Sequence, residues 1–339
     1  MADSAPTTTE GKSTRGFGCL ILLLIGMAVL SVLGLSIAGM AGGLVPADQI
    51  VEVSESVEPS ATQKLVVMEF SGVIAGMDAA SARGGQARTL LRMLERASSD
   101  ESVAGILLRL NTPGGGVTAS DILHDAVRRI RRKGKKVVVL MGDLCASGGV
   151  YLAVAADKIW AHPTTITGSI GVLLGSYSLK QLLERHGILD QTVVSGANKQ
   201  ILSMSRELTE EQRAMLQEIV DSLHNRFVSL VAEGRKKKVD AVKPFSDGRL
   251  LTADYAKKVG LIDDVGYRKN AMDDLKAISG GGPFNVVRYA QEETLLEQLS
   301  VRASSSFGLG DQLMEGLLSG PRAYYLYGSA AGASAGNQE

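Results

Sequence analysis

Two observations predict an α/β core for this chain of 339 residues. Short aliphatic runs alternate along the sequence with helical patterns in which apolar residues recur three and four positions apart, as strands and helices packed in layers do. In the middle of that alternation lies a strand-to-helix turn, Gly142-Asp143-Leu144-Cys145-Ala146-Ser147-Gly148-Gly149-Val150-Tyr151. It follows the buried-type run Val137 to Leu140 and leads into a small, apolar helix, Val150 to Ala156.

Two roles are open to Ser147 at this turn. It can cap the helix, the ordinary use of serine in that place. It can also present its Oγ as a nucleophile, since the free N–H groups of a first helical turn can hold a developing negative charge. Gly148 and Gly149 would then remove side chains that block an approaching peptide backbone.

The elements follow in order. Residues 46–63 read as a polar linker, and Leu65 to Phe70 as a strand that ends at Ser71-Gly72. Ala87 to Ala97 carries Leu90, Leu91 and Leu94 at helical spacing with arginines between them, an amphipathic helix. A second strand, Val103 to Leu110, stops at Asn111-Thr112-Pro113-Gly114-Gly115-Gly116, and Ser120 to Arg132 is again helical. The cationic run from Arg128 is a solvated helix end whose charge suits the helix dipole. After the central turn come a strand at Lys158 to Ala161 and the loop Thr164 to Val172, whose Gly-Ser-Ile-Gly core suggests a backbone passing close to something. A helix at Leu179 to His186 and a strand near Thr192 to Val194 precede the longest helix, Leu208 to Arg235, announced by the capping pattern Thr209-Glu210-Glu211-Gln212. Gly248 to Thr252 starts a short helix reaching Val259, and beyond Ala277 the chain turns Gly-rich and weakly amphipathic. No strand is followed by a dinucleotide fingerprint or phosphate loop, so nucleotide chemistry has no support.

Composition narrows the classes further. The 36 basic residues balance 36 acidic ones, so no charge excess argues for nucleic acid. Of the two cysteines, Cys19 lies in an apolar N-terminal run and Cys145 in the central turn, which argues against a disulfide. No charged residue occurs from Phe17 to Val45. That stretch exceeds the ~7–15 residues of a signal-peptide core and meets the ~20 of a spanning helix. Lys12 and Arg15 precede it, and Asp48, Glu52, Glu55 and Glu58 follow, with no further Lys or Arg until Lys64. A retained anchor is therefore expected, with the N-terminus cytoplasmic and the rest outside; Ala38-Gly39-Met40-Ala41 keeps a cleaved signal peptide as the rival. The expected organisation is a cytoplasmic tail (1–16), an anchor (17–45), a linker (46–63), a catalytic domain (64–276), a C-terminal segment (277–327) and a disordered tail (328–339).

A nucleophilic Ser147 needs a base, because a serine hydroxyl does not ionise at neutral pH. Of the four histidines, His124 and His224 lie inside helical patterns and His186 ends one, which favours surface or cap roles. His162, beside Pro163, stays a candidate. A lysine can serve if desolvation brings its pKa from ~10.4 toward 7–8, and that requires an apolar pocket. Lys199 meets the condition: no other charge lies between Asp190 and Arg206, and Val193, Val194, Ile201 and Leu202 flank it. An ordinary snorkelling lysine is the alternative.

The ordered set Asn111-Thr112-Pro113-Gly114-Gly115, Ala146-Ser147-Gly148-Gly149 with Tyr151, Thr167-Gly168-Ser169-Ile170-Gly171 and Ser195-Gly196 with Lys199 resembles the signal peptide peptidase A family, bacterial membrane-anchored serine proteases. The resemblance runs in unbroken order from about Leu65 to Gly266. It implies a crotonase/Clp-protease-like fold with a repeated ββα core, preceded by one transmembrane helix. It also implies that Ser147 is the nucleophile, Lys199 the general base, and Ser169 a support for the lysine amine. The oxyanion hole would combine the Gly148 N–H with one from the Gly114-Gly115 loop. The implied reaction is endoproteolysis of released signal peptides and other hydrophobic peptides through an acyl-enzyme, at the bacterial inner membrane, with no metal and no cofactor. As a single-copy member the chain is expected to form a ring-shaped homo-oligomer in which Ser147 of one protomer meets Lys199 of its neighbour. Asn198-Lys199-Gln200 and Ser203-Met204 replace the family's usual Tyr-Lys-Asp and Ser-Pro, a departure that bears on pocket shape. Two other functions fit the same fold: a crotonase-type acyl-thioester enzyme and an inactive membrane scaffold.

Overall fold

The aliphatic runs become strands of one sheet. In chain order they are β1 (Ile50–Ser56), β2 (Gln63–Ser71), β3 (Val103–Thr112), β5 (Lys136–Ala146), β6 (Lys158–Ala161) and β7 (Ile166–Gly168), then β8 (Leu250–Thr252), β9 (Asp264–Val265) and β10 (Phe284–Gln291). The computed structural model describes residues 50–75, 77 and 85–291 and the backbone of 324–326. The expected cytoplasmic tail, anchor and terminal tail lie outside the described residues, among which no helix is long and apolar enough to cross a membrane. The sheet runs β1-β10-β2-β3-β5-β6-β9, with β7 on β5 and β8 on β7. It is mixed: β10, β2, β3, β5, β6 and β9 are parallel, while β1 pairs antiparallel with β10 and β8 with β7.

Helices cover both faces. Alternate residues of a strand point to opposite sides. On one side Val66, Met68 and Phe70 of β2 join Leu90 and Leu94 of α1 (Gln86–Ser99) and Leu123 and Val127 of α2 (Val117–Arg132). On the other, Leu65 and Val67 meet Ala271 and Leu275 of α8 (Arg268–Ile278). Each buried aliphatic of this kind contributes about 1.5–3 kcal/mol, so both layers fix the helices against the sheet.

The strand β5 changes partner along its length. It pairs with β6 through Val138 to Met141, then with β7 through Leu144 to Ala146. Across the break the Leu144 N–H donates to Asn111 Oδ1 at 3.0 Å. The diverging end of β5 leads directly into α3 (Gly148–Ala153). Beside it, β4 (Gly114–Gly116) is bridged to Ile74 on one edge and pairs antiparallel with β11 (Tyr324–Leu326) on the other.

Several elements differ from the sequence reading. The linker contains β1, an edge strand exposed along most of its length, and the C-terminal segment supplies β10 between β1 and β2, so the sheet extends past both ends of the 64–276 domain. The loop Thr164 to Val172 contains β7, and Leu250 to Thr252 is the strand β8 preceding α7 (Ala253–Lys258) instead of its first turn. Thr192 to Val194 forms no strand: Val193 is 95% exposed and finds no sheet edge.

Candidate active site

Ser147 stands at the head of α3 with φ 51° and ψ −111°, a left-handed backbone that a non-glycine residue adopts only when its surroundings impose it. Two hydrogen bonds and its burial do so. Its N–H donates to Gly168 O at 2.9 Å, its carbonyl accepts from the Tyr151 N–H at 2.9 Å, and the residue is only 1% exposed. Its side chain makes no cap hydrogen bond, so the capping role open in the sequence is not the one taken.

The backbone around it is close-packed. A Cβ on Gly148 would lie 2.5 Å from Ser120 Oγ, 3.1 Å from Gly115 N and 3.2 Å from Gly114 Cα. Gly148 thus lets α3 seat against α2 and β4, a packing role beyond the open approach expected from sequence. In the β4 loop the Gly114 N–H donates to Thr112 Oγ1 at 3.1 Å and the Gly116 N–H to Ile74 O at 2.9 Å. Alternation along the strand turns the Gly115 N–H to the opposite edge, the one that β11 pairs with.

Ser169 is placed by the neighbouring strand. Ala146 pairs with Gly168, so Ser147 and Ser169 each follow one member of that pair. Ser169 is 7% exposed, has φ 51° and donates its N–H to Arg249 O at 2.7 Å. Ser147, Ser169, Gly148 and the Gly114-Gly115 loop are therefore gathered in one chain.

Lys199 is not gathered with them by any bond. It is exposed, on a turn closed by its own N–H to Gly196 O at 3.0 Å, and its ammonium has no hydrogen bond or ion pair among the described residues. Ile201 and Leu202 are half-buried and Val193 is bare, so one chain alone does not supply the apolar pocket. The turn belongs to a segment held from both sides. Asp190 accepts from Ser205 Oγ at 2.6 Å and from the Thr192 N–H at 2.9 Å, bonds that hold its carboxyl well below the usual range. Gln212, in the first turn of α5 (Glu210–Gly234), donates Nε2 to Ala197 O at 3.3 Å and to Asn198 Oδ1 at 3.2 Å.

The histidines divide. His162 pairs its Nδ1 with Thr164 Oγ1 at 2.8 Å and its ring with Tyr267, in a cleft whose lining does not include Ser147. His224 Nε2 meets Ser246 O at 2.7 Å and His186 ends α4 (Lys180–Arg185). His124 is the surprise: it is buried edge-on against Tyr151, and burial brings its pKa down to about 4, so it is neutral and neither surface nor cap. Burial likewise pushes the Cys145 thiol up. Sequence reasoning also passed over the network behind α3. Tyr151 Oη donates to Asp121 Oδ1 at 2.6 Å, and Arg226 of α5 reaches both, Nε to Tyr151 Oη at 3.1 Å and Nη2 to Asp121 Oδ1 at 2.6 Å. Burial works against the Asp121 charge, yet the Tyr151 and Arg226 hydrogen bonds hold its carboxyl below the usual range.

Residues 129–280 match the peptidase family S49 and residues 79–166 the Clp protease family. The protein named signal peptide peptidase SppA in Enterococcus faecium is 33% identical over 240 residues, covering 70% of each chain. The chain belongs to the SppA family. A protease of Synechocystis sp. is 36% identical over 67% of this chain and 78% of its own. The chloroplastic serine protease SPPA of Arabidopsis thaliana is 30% identical over 68% of this chain, but only 35% of that longer protein is covered. As an SppA-family member the chain is a serine protease on a Clp-protease-like α/β fold with a mixed sheet. The S49 match takes in Ser147, Ser169 and Lys199 together.

Proposed function

We propose that this SppA-family protease is a membrane-anchored endopeptidase that cleaves released signal peptides and other hydrophobic peptides with a Ser147–Lys199 dyad. The observation that carries it is Ser147 itself: buried, held in a left-handed conformation, relieved of the capping role and followed by Gly148, which packs against the Gly115 backbone. Ser147 Oγ attacks the scissile carbonyl as the neutral Lys199 amine takes its proton. The N–H groups of Gly148 and Gly115 receive the charge that grows on the carbonyl oxygen. The resulting ammonium returns the proton to the leaving amine, and a water deprotonated by Lys199 then hydrolyses the acyl-enzyme. Ser169 orients the lysine amine. An extended substrate pairs with the β4 edge, a mode supported by the extended strand β11 already on that edge.

The dyad is completed between protomers of a ring. No residue of α5 from Glu210 to Arg226 is buried, and burial begins at Phe227. The turn that precedes Lys199 is tied through Ala197 and Asn198 to Gln212, 14 residues from Arg226, which at 1.5 Å per residue is about 21 Å along the helix from the contact with Tyr151. The outlying segment also exposes Leu173, Tyr177, Leu189, Val193 and Ile219, apolar area of the kind an interface covers. A closed ring would bring that segment, and the desolvation a lysine base needs, to a neighbour's Ser147.

The test is complementation. Ser147→Ala and Lys199→Ala proteins, each inactive, are mixed under conditions in which protomers exchange. Shared sites restore activity at about one interface in four for random mixing in a ring, while His162→Ala stays active throughout. A mixture that stays dead although exchange is shown independently rejects the shared dyad. Residues 17–45 are proposed to anchor the chain in the bacterial inner membrane with the catalytic domain outside, on the charge bias of the flanks. Protease added to spheroplasts is then expected to degrade the domain, and full protection contradicts that topology.

A further inference from the structure

Gln212 is more than a helix cap. Its Oε1 accepts the Thr209 N–H at 3.2 Å, and the Gln212 N–H donates to Thr209 Oγ1 at 3.2 Å, the two halves of a capping box. The backbone donor settles which way the amide faces. Nε2 is thereby turned to Ala197 O and Asn198 Oδ1, the carbonyl and side chain immediately before Lys199. The Asn198 side chain is one of the two acceptors Gln212 uses. At the other end of the exposed stretch, Arg226 clamps α5 to Tyr151 and Asp121, and Tyr151 lies one turn beyond Ser147 on α3.

We propose that Gln212 is the positioning residue for Lys199: its amide fixes the Ala197-Asn198 turn to the end of α5, a strut whose direction Arg226 sets against the nucleophile-bearing helix. This rests on Lys199 being the base. It adds that the turn around Lys199, lacking a pocket of its own, is held in place by a side-chain tether.

Gln212→Glu separates the tether from the cap. Glutamate still accepts the Thr209 N–H, as capping boxes commonly use it, but has no N–H to give Ala197 or Asn198. In the full-length protein, Gln212→Glu and Asn198→Ala are expected to lower kcat about tenfold, the scale of one lost hydrogen bond at a positioned group, with KM within about twofold. Melting temperature should be unchanged. Thr209→Ala does the reverse, loosening the helix start while leaving kcat within about twofold. If Gln212→Glu turns over like wild type while Lys199→Ala is dead, the tether is wrong and the base stands. If Lys199→Ala is itself active, the base assignment falls and takes the tether with it. Equal losses of kcat in Thr209→Ala and Gln212→Glu would assign the effect to helix stability and overturn the proposal. Should Gln212→Glu fail to fold, Asn198→Ala decides alone: a tenfold loss supports the tether and wild-type turnover rejects it.

Discussion

His124 packs its ring against Tyr151, one turn beyond Ser147, and this burial has a consequence for pH. Its pKa is about 4 in the folded chain against 6.5 unperturbed, so the native state keeps it neutral while the unfolded chain binds a proton below pH 6.5. Its stabilisation is complete above about pH 6.5 and is lost as the pH falls toward 4, amounting to about 3 kcal/mol at the acid end. Urea midpoints of wild type should drop across that window, and those of His124→Gln should drop less. Equal slopes in the two proteins would show that His124 is already charged when folded. In the sequence this residue sat on a helical stripe with nothing to separate a core histidine from a surface one. The turn that holds Ser147 was legible because glycines and an aliphatic strand surround it. Lys199 stood out by its lack of charged neighbours, but its exposure was not legible, because sequence spacing does not say whether the apolar residues flanking a lysine fold over it.

At the scale of elements, the strands with continuous aliphatic runs were readable and the edge pieces were not. β1 is exposed along most of its length, so it carries no hydrophobic alternation to betray it. β10 is recognisable only through pairing with β1 and β2, contacts hundreds of residues or a whole domain away in sequence. β7 and β8 have three residues each, too few to show a period. The helix α5 was readable to within two residues, yet its division into an exposed first part and a buried end at Phe227 to Ala232 was not. That division predicts a gradient of hydrogen exchange. In dilute protein, amides from Glu210 to Arg226 should exchange faster than those from Phe227 to Ala232, because local opening there disrupts few apolar contacts. If the chain forms the proposed ring, the first part should gain protection as the concentration rises. Uniform protection at every concentration would mean that this part of α5 is already covered in the isolated chain.

For the molecule as a whole, the strand β11 at the edge of β4 matters most. Tyr325 stands opposite Gly115 in antiparallel register, on the edge a substrate backbone would use. An occupant tethered to its own chain is never diluted: it meets the edge at an effective concentration on the order of millimolar, whatever the protein concentration. A free peptide therefore competes with a fixed opponent, and the handicap falls on KM. Removing residues 320–339 should lower KM several-fold and leave kcat unchanged, and an unchanged KM would show that the strand yields its place without cost. If substrates pair on that edge as proposed, the same tether would filter them by affinity: short or weakly pairing peptides would lose the contest and longer extended ones would win it, so β11 would set a threshold of substrate length.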